Sequence, residues 1–227
     1  MTKQKKKLAL FDLDHTLLPI DSDYSWGQFT LSLGWSDPAT FAQRNDAFYA
    51  EYKAGTLDIH EYVRFATQAA RLKGPQAARD AHARFMAEVI RPAIRPQALA
   101  LVRQHQDAGD EVVIVTATNE FVTRPIAEAF GVAHLIAVEL AKDAHGWMTG
   151  EIHGTPSFRE GKVTRVQAWL AERGLARSDV QVAFYSDSIN DLPLMDNADK
   201  PVATNPDDRL RAIAQERGWP VLDLFSE

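Results

Sequence analysis

The chain has no cysteine among its 227 residues. Disulfides, thiolate nucleophiles and cysteine-ligated zinc are thereby excluded. The absence fits a reducing compartment, and a cytoplasmic location is expected. Long apolar runs are missing as well. None approaches the roughly 18 to 20 residues that span a bilayer, so no membrane contact is expected. Lys3, Lys5, Lys6 and Lys7 imitate the start of an export signal, but only Leu8 to Phe11 follow before Asp12 interrupts. That segment is too short, and the lysines read as a solvated tail. No long basic block occurs and the net charge is −6, which argues against a nucleic-acid partner. No repeat or low-complexity segment is visible. The remainder, 45% hydrophobic and 25% charged, is ordinary for a folded protein. It suffices for one large domain, or a core domain with an insertion.

The stretch Leu8 to Leu18, LALFDLDHTLL, organises what is present. An apolar run ending in polar residues predicts a buried parallel strand, about Lys7 to Leu13, opening into a loop. Ligands of open α/β sheets sit outside the carboxyl ends of strands. Asp12 and Asp14 are then two crowded carboxylates that need a cation, a shared proton or a phosphate to handle. The plainer reading makes one Asp a helix cap and the other solvated. It explains one carboxylate better than two.

From Asp23 to about Val89 the pattern is helical, with Pro38, Asp58 and Pro75 opening helices and Gly55 and Gly74 closing them. Four helices between a strand and an alternating pattern predict an insertion. RPAIRP (Arg91 to Pro96) punctuates the return. Strands are then expected at Glu111 to Val115, Leu135 to Leu140 and Val180 to Tyr185. One arm of a short hairpin is expected at Met148 to His153. Helices are expected at Pro96 to Ala108, Thr118 to Phe130, Phe158 to Arg173 and Asn190 to Asn197. A strand–helix–strand unit fills Pro201 to Leu224. The expected fold is therefore α/β, with a mostly parallel sheet covered on both faces.

Three more places carry polar residues of the right kind. EVVIVTATN sets Thr116 at a strand end with Thr118 next, a possible anion site, although either hydroxyl could simply cap a helix. VQVAFYSDSINDLPLM supplies Asp187, Asn190 and Asp191. Such oxygen ligands suit Mg²⁺, yet one carboxylate could equally serve a helix N-terminus. Lys162 lies near a helix start, where a cation gains nothing from the dipole unless an anion is nearby.

The order DxDxT, strand-end Thr, Lys and DxxND resembles the haloacid-dehalogenase-like phosphohydrolase superfamily. The resemblance covers nearly the whole chain, with its doubly wound, Rossmann-like core. The helical insertion and the stretch HGWMTGEIHG look most like the phosphoserine-phosphatase-like branch with a C1 cap. On that pattern residues 1–18 and 91–227 form the core domain and 19–90 the cap. The resemblance implies that Asp12 is the nucleophile that forms an aspartyl-phosphate, and that Asp14 is the general acid and base. Thr116 and Lys162 would hold phosphoryl oxygens. Mg²⁺ would be held by Asp12, the Asp14 carbonyl and Asp187, with Asp191 holding metal-bound water or orienting Lys162. Asn190 and Thr118 fall on the phosphate or substrate side. Thr16 would shape the turn, and His15 would lend a backbone N–H.

Departures from the branch bear on substrate. SDSIND replaces the usual GDGxND, putting Ser186 and Ser188 where glycines are common, and Ala117 and Thr118 replace a Gly-Gly pair. Asp21 falls where the branch has the acidic residue that holds a substrate amine. The arginine that would clamp a carboxylate falls on Ala66, with Arg64 on nearly the opposite side of its helix. An ammonium site without a clamp suits a phosphorylated amino alcohol, such as histidinol phosphate, better than phosphoserine. Trp26, Phe29, Phe41, Tyr49 and Phe65 are read mostly as helical core. The expected function is a Mg²⁺-dependent phosphomonoesterase acting on a small metabolite. A phosphomutase or phosphotransferase shares the same core residues. A phospho-accepting regulatory domain is disfavoured by the Asp12–Asp14 pair and the large insertion, and a catalytically dead binding protein by the intact aspartates and Lys162.

Overall fold

The computed structural model describes residues 5 to 225. Strand β1 (Lys6–Phe11) holds the apolar run and stops directly before Asp12. Four helices follow: α1 (Ser22–Ser32), α2 (Pro38–Ala54), α3 (Ile59–Lys73) and α4 (Pro75–Phe85). Asp21, Asp37 and Asp58 cap the first three through backbone N–H groups, as Ser, Thr, Asp and Asn do at helix starts. Helix α4 is prolonged into RPAIRP before it ends within that stretch. A π-helical turn over Met86–Ile90 carries it into α5 (Arg91–Ala93), and the chain extends only at Ile94. The wider turn precedes Pro92, which has no N–H to give an α-helical ladder.

The alternating half then runs α6 (Pro96–Asp107), β2 (Glu111–Asn119), α7 (Glu120–Ala129), β3 (His134–Val138), β4 (Leu140–Lys142) and β5 (Met148–Ile152). It continues with α8 (Glu160–Glu172), β6 (Val180–Ser186), α9 (Leu192–Asn197), β7 (Lys200–Thr204), α10 (Asp208–Arg217) and β8 (Val221–Leu222). Six strands form one sheet in the order β3-β2-β1-β6-β7-β8, every pairing parallel. β4 and β5 make a separate antiparallel hairpin.

Three boundaries differ from expectation. β2 runs four residues past Val115, because its pairing with β3 resumes after a register shift at Asn119 opposite Val138. Thr116 and Thr118 therefore lie within a strand, and Asn119 caps α7 by accepting the Val122 N–H. The expected strand from Leu135 to Leu140 divides at Glu139, where the chain leaves the sheet for the hairpin. The helix expected from Asn190 begins as a 3₁₀ turn at Ile189–Asp191 before α9.

Alternation along the strands fills both faces. Ala9, Phe11, Val112 and Ile114 face one cluster, which is continuous with Trp26, Phe29, Val63 and Phe85 from the inserted helices. Leu8, Leu10, Val113, Val182 and Phe184 face the other, closed by Val166, Trp169 and Leu170 of α8 and Leu210 of α10. β1 pairs with β2 on one edge and β6 on the other. The strand order reverses there, and the carboxyl ends of β1 and β6 open the crevice in which α/β folds bind ligands.

Candidate active site

Asp12 begins the loop after β1, its N–H donating to the Tyr185 carbonyl of β6 at 2.9 Å. Lys162, in the first turn of α8, reaches across the crevice. Its Nζ donates to Asp12 Oδ1 at 2.6 Å and to Asp191 Oδ2 at 2.7 Å, with all three side chains buried. Burial pushes the ammonium pKa down, but Asp12 and Asp191 push it further up, and the net shift is upward. Lys162 is thus charged at any physiological pH, which answers why a lysine stands where the dipole opposes it.

Asp14 is held from two sides. Oδ1 accepts the Ser22 N–H at 2.7 Å and Oδ2 accepts the Thr118 hydroxyl at 2.9 Å. Thr116 Oγ1 accepts the Thr118 N–H at 3.1 Å, so the end of β2 is organised around the same corner. Thr16 ties its turn to the loop after β6: its hydroxyl donates to Asp187 Oδ1 at 3.0 Å and accepts the Asp187 N–H at 3.0 Å. His15 takes left-handed backbone, φ +57°, with its N–H directed at the Ile20 carbonyl and its imidazole toward the Tyr49 hydroxyl.

The replaced glycines cause no distortion, since neither Ser186 nor Ser188 has positive φ. Ser186 donates to Asp191 Oδ2 at 2.7 Å and accepts the Ser188 N–H. Asp191, expected as a metal-side residue or as the residue that orients Lys162, accepts from both Lys162 and Ser186. Asn190 donates to the Tyr52 carbonyl at 2.8 Å. Arg159 donates to the Gly55 carbonyl at 2.9 Å. Both bind carbonyls at the C-terminal end of α2, where Tyr52 also accepts the Gly55 N–H.

Carboxylates dominate the electrostatics. Burial, then Asp191 and Asp14, push Asp12 up to about 7 against the pull of Lys162. Burial and Asp21 push Asp14 up to about 6. Asp187 is raised well above the carboxylate range by burial, Asp12 and Asp191. So much buried negative charge fits a cation. Among the described residues no three His, Cys, Asp or Glu side chains are spaced as a ready metal cluster. Asp12, Asp187 and the Asp14 carbonyl offer the few hard oxygens that suit Mg²⁺, which keeps several waters.

Asp12, Asp14, Thr116, Thr118 and Asp187 line a cavity closed on its far side by α1, α2 and α3. Asp21 reaches it while capping α1. None of its lining residues is an arginine. Arg64 turns away to Glu151 of β5 at 3.2 Å. Of the five cap aromatics read from sequence only Tyr49 lines the cavity, joined by Tyr24, Phe48, Tyr52 and Tyr62. The sequence reading missed Asp23 and Asn45, both buried in that wall. Asp23 looked like one more helix-start residue, and Asn45 carries no signal until α2 is packed.

Residues 9–196 match the family model described as haloacid dehalogenase-like hydrolase. A histidinol-phosphatase of Neisseria meningitidis serogroup C is 43% identical over 220 residues, 96% of this chain and 99% of that protein. The chain belongs to the haloacid dehalogenase-like hydrolases and is a phosphatase of that family. A Bordetella pertussis crystal structure of a protein with unknown function is similar at TM-score 0.92 and 50% identity, covering 98% of this chain and 100% of that one. A substrate-bound phosphoserine phosphatase structure covers 97% of this chain and 94% of its own at TM-score 0.64 and 18% identity, a likeness of fold alone.

Proposed function

We propose that this phosphatase hydrolyses the phosphomonoester of a small amino alcohol, with histidinol phosphate as its substrate. One observation carries the reading: Asp12, bonded to the buried Lys162 that Asp191 also holds, lines a cavity that offers Asp21 for an amine and, among the described residues, no arginine for a carboxylate. The likeness to the Neisseria histidinol-phosphatase along nearly the full length supports it.

In this reading Lys162 and Thr116 orient the phosphoryl oxygens, and Asp191 holds Lys162 in place. The Asp12 carboxylate attacks phosphorus while the bond to the leaving oxygen breaks, giving an aspartyl-phosphate and the alcohol. Asp14 enters this step protonated and gives its proton to the leaving oxygen. Its carboxylate then takes a proton from the water that attacks the aspartyl-phosphate, which releases phosphate and restores Asp12. Asp12, Asp187 and the Asp14 carbonyl would hold Mg²⁺, which would supply positive charge against the repulsion of carboxylates and phosphate. Residues 19–90 act as a cap that closes over the substrate, with Asn190 and Arg159 binding the end of α2 in the closed form.

Phosphate release from histidinol phosphate, phosphoserine, a sugar phosphate and p-nitrophenyl phosphate, with Mg²⁺ or EDTA, tests each part. Histidinol phosphate should give the highest kcat/KM, EDTA should abolish turnover, and Asp12→Asn should be inactive. A preference for phosphoserine overturns the substrate, full activity in EDTA the metal, and an active Asp12→Asn the nucleophile.

A further inference from the structure

We propose that Asp23 is a second cation-binding residue of the cavity, set beside Asp21 so that the preferred substrate brings two nitrogen bases, an amine and an imidazole-like ring. This deepens the amino-alcohol reading above and rests on it.

Asp23 lies in the first turn of α1, two residues after the cap Asp21, and both side chains line the cavity. It is only 5% exposed. Its neighbours are Asn119, whose Nδ2 donates to Oδ1 at 3.3 Å, and the Tyr62 hydroxyl. Among the described residues no lysine or arginine lines the cavity. Burial, then Asp21 and Asp14, push Asp23 up to about 8. A carboxylate buried for structure alone is normally paired with a cation, as Asp12 and Asp191 are with Lys162. Asp23 has neutral donors, two carboxylates nearby, and an opening onto the substrate space. A perturbed carboxylate in a cleft is a functional candidate on physical grounds.

The surroundings suit a flat cationic ring. Tyr24, Phe48 and Tyr49 line the same space, and Arg44 and Lys53 already sit over one face of Phe48 and of Tyr49, as aromatic faces attract cations. Asn45 adds a buried amide whose Nδ2 has no hydrogen-bond partner among the described residues. An imidazolium ring has two N–H donors and no acceptor, so one ring N–H donates to Asp23 while the other can donate to the amide oxygen of Asn45. Asp21 remains for the amine, so the two carboxylates divide the tail between them.

The test compares histidinol phosphate (both bases), 2-aminoethyl phosphate (amine only) and ethyl phosphate (neither), in wild type, Asp21→Asn and Asp23→Asn. Wild type should favour histidinol phosphate over 2-aminoethyl phosphate at least about tenfold in kcat/KM, as one charged hydrogen bond permits. Asp23→Asn should lower that ratio by about tenfold or more, whereas Asp21→Asn should lower the preference for both amines over ethyl phosphate. An equal loss on all three substrates makes Asp23 structural and overturns the inference alone. Equal wild-type rates on histidinol phosphate and 2-aminoethyl phosphate also overturn it while the amino-alcohol reading stands. A wild type that prefers ethyl phosphate or phosphoserine overturns that reading itself. Should Asp23→Asn not fold, inhibition of wild-type ethyl phosphate hydrolysis decides. Histamine, with both bases, should inhibit at lower concentration than ethanolamine, and equal inhibition rejects the second subsite.

Discussion

Lys162 donates to Asp12 at 2.6 Å across 150 residues of sequence, with both side chains buried. Removing the lysine leaves Asp12 and Asp191 facing each other with no cation from the protein. Lys162→Met should lower kcat by at least about 10²-fold, the order seen for one transition-state donor. It should also cost about 3–5 kcal/mol of stability, as breaking a buried pair does. Lys162→Arg should not restore activity, because the site is 1% exposed and has no room for a fork of donors. Chemical denaturation and steady-state kinetics check both halves.

Asp14 is assigned proton transfer, so its loss should depend on the leaving group. Asp14→Asn should slow an alkyl phosphate by about 10²- to 10⁴-fold, the usual range for a general acid. p-Nitrophenyl phosphate, whose leaving group needs no proton, should suffer markedly less in formation of the aspartyl-phosphate, measured as the burst of p-nitrophenol. Equal losses would remove the acid role.

Asp23 burdens the fold in a pH-dependent way. Its folded pKa of about 8 lies above the ordinary 3.8, so the folded state holds a proton that the unfolded chain releases. Stability from this residue is therefore complete below about pH 4 and is lost as pH rises through 8. Asp23→Asn removes that slope. Its Tm should exceed that of wild type by several degrees at pH 8 and by much less at pH 5, since ~1 kcal/mol shifts a protein of this size by about 2–4 °C. Thermal scans at the two pH values test this. A residue that lowers stability and raises selectivity is the usual trade at a functional site.

Gly161 stands directly before Lys162 and packs against backbone. A Cβ there would lie 2.0 Å from the Pro156 carbonyl oxygen. Gly161→Ala must displace the start of α8, so it should cost about 1–3 kcal/mol, as overpacking does. It should also lower kcat by moving Lys162, whereas Gly174→Ala, after α8 with open space around it, should leave kcat unchanged. Activity of the two variants at equal folded fraction separates these effects.

Local chemistry made most of the fold legible from the chain alone. Apolar runs marked β1, β2 and β6, and Asp58, Pro38 and Gly55 marked helix ends, because caps and turn residues act within a few positions. Other features answer to distant partners. The last four residues of β2 depend on β3, and the π turn of Met86–Ile90 accommodates Pro92 inside a continuing helix.

The site divides in the same way. LALFDLDHTLL, Thr116, Lys162 and SDSIND could be read as one constellation because each follows a strand or opens a helix. By itself the sequence determined the α/β class, the order of these groups and the place of the insertion. Only the tertiary structure decided that Asp191, itself held by Ser186, holds Lys162, that Asn190 turns to α2, and that Arg64 leaves for Glu151. It alone buried Asp23 beside Asp21. Burial and charge proximity are set by packing between elements far apart in the chain, and no local pattern encodes them.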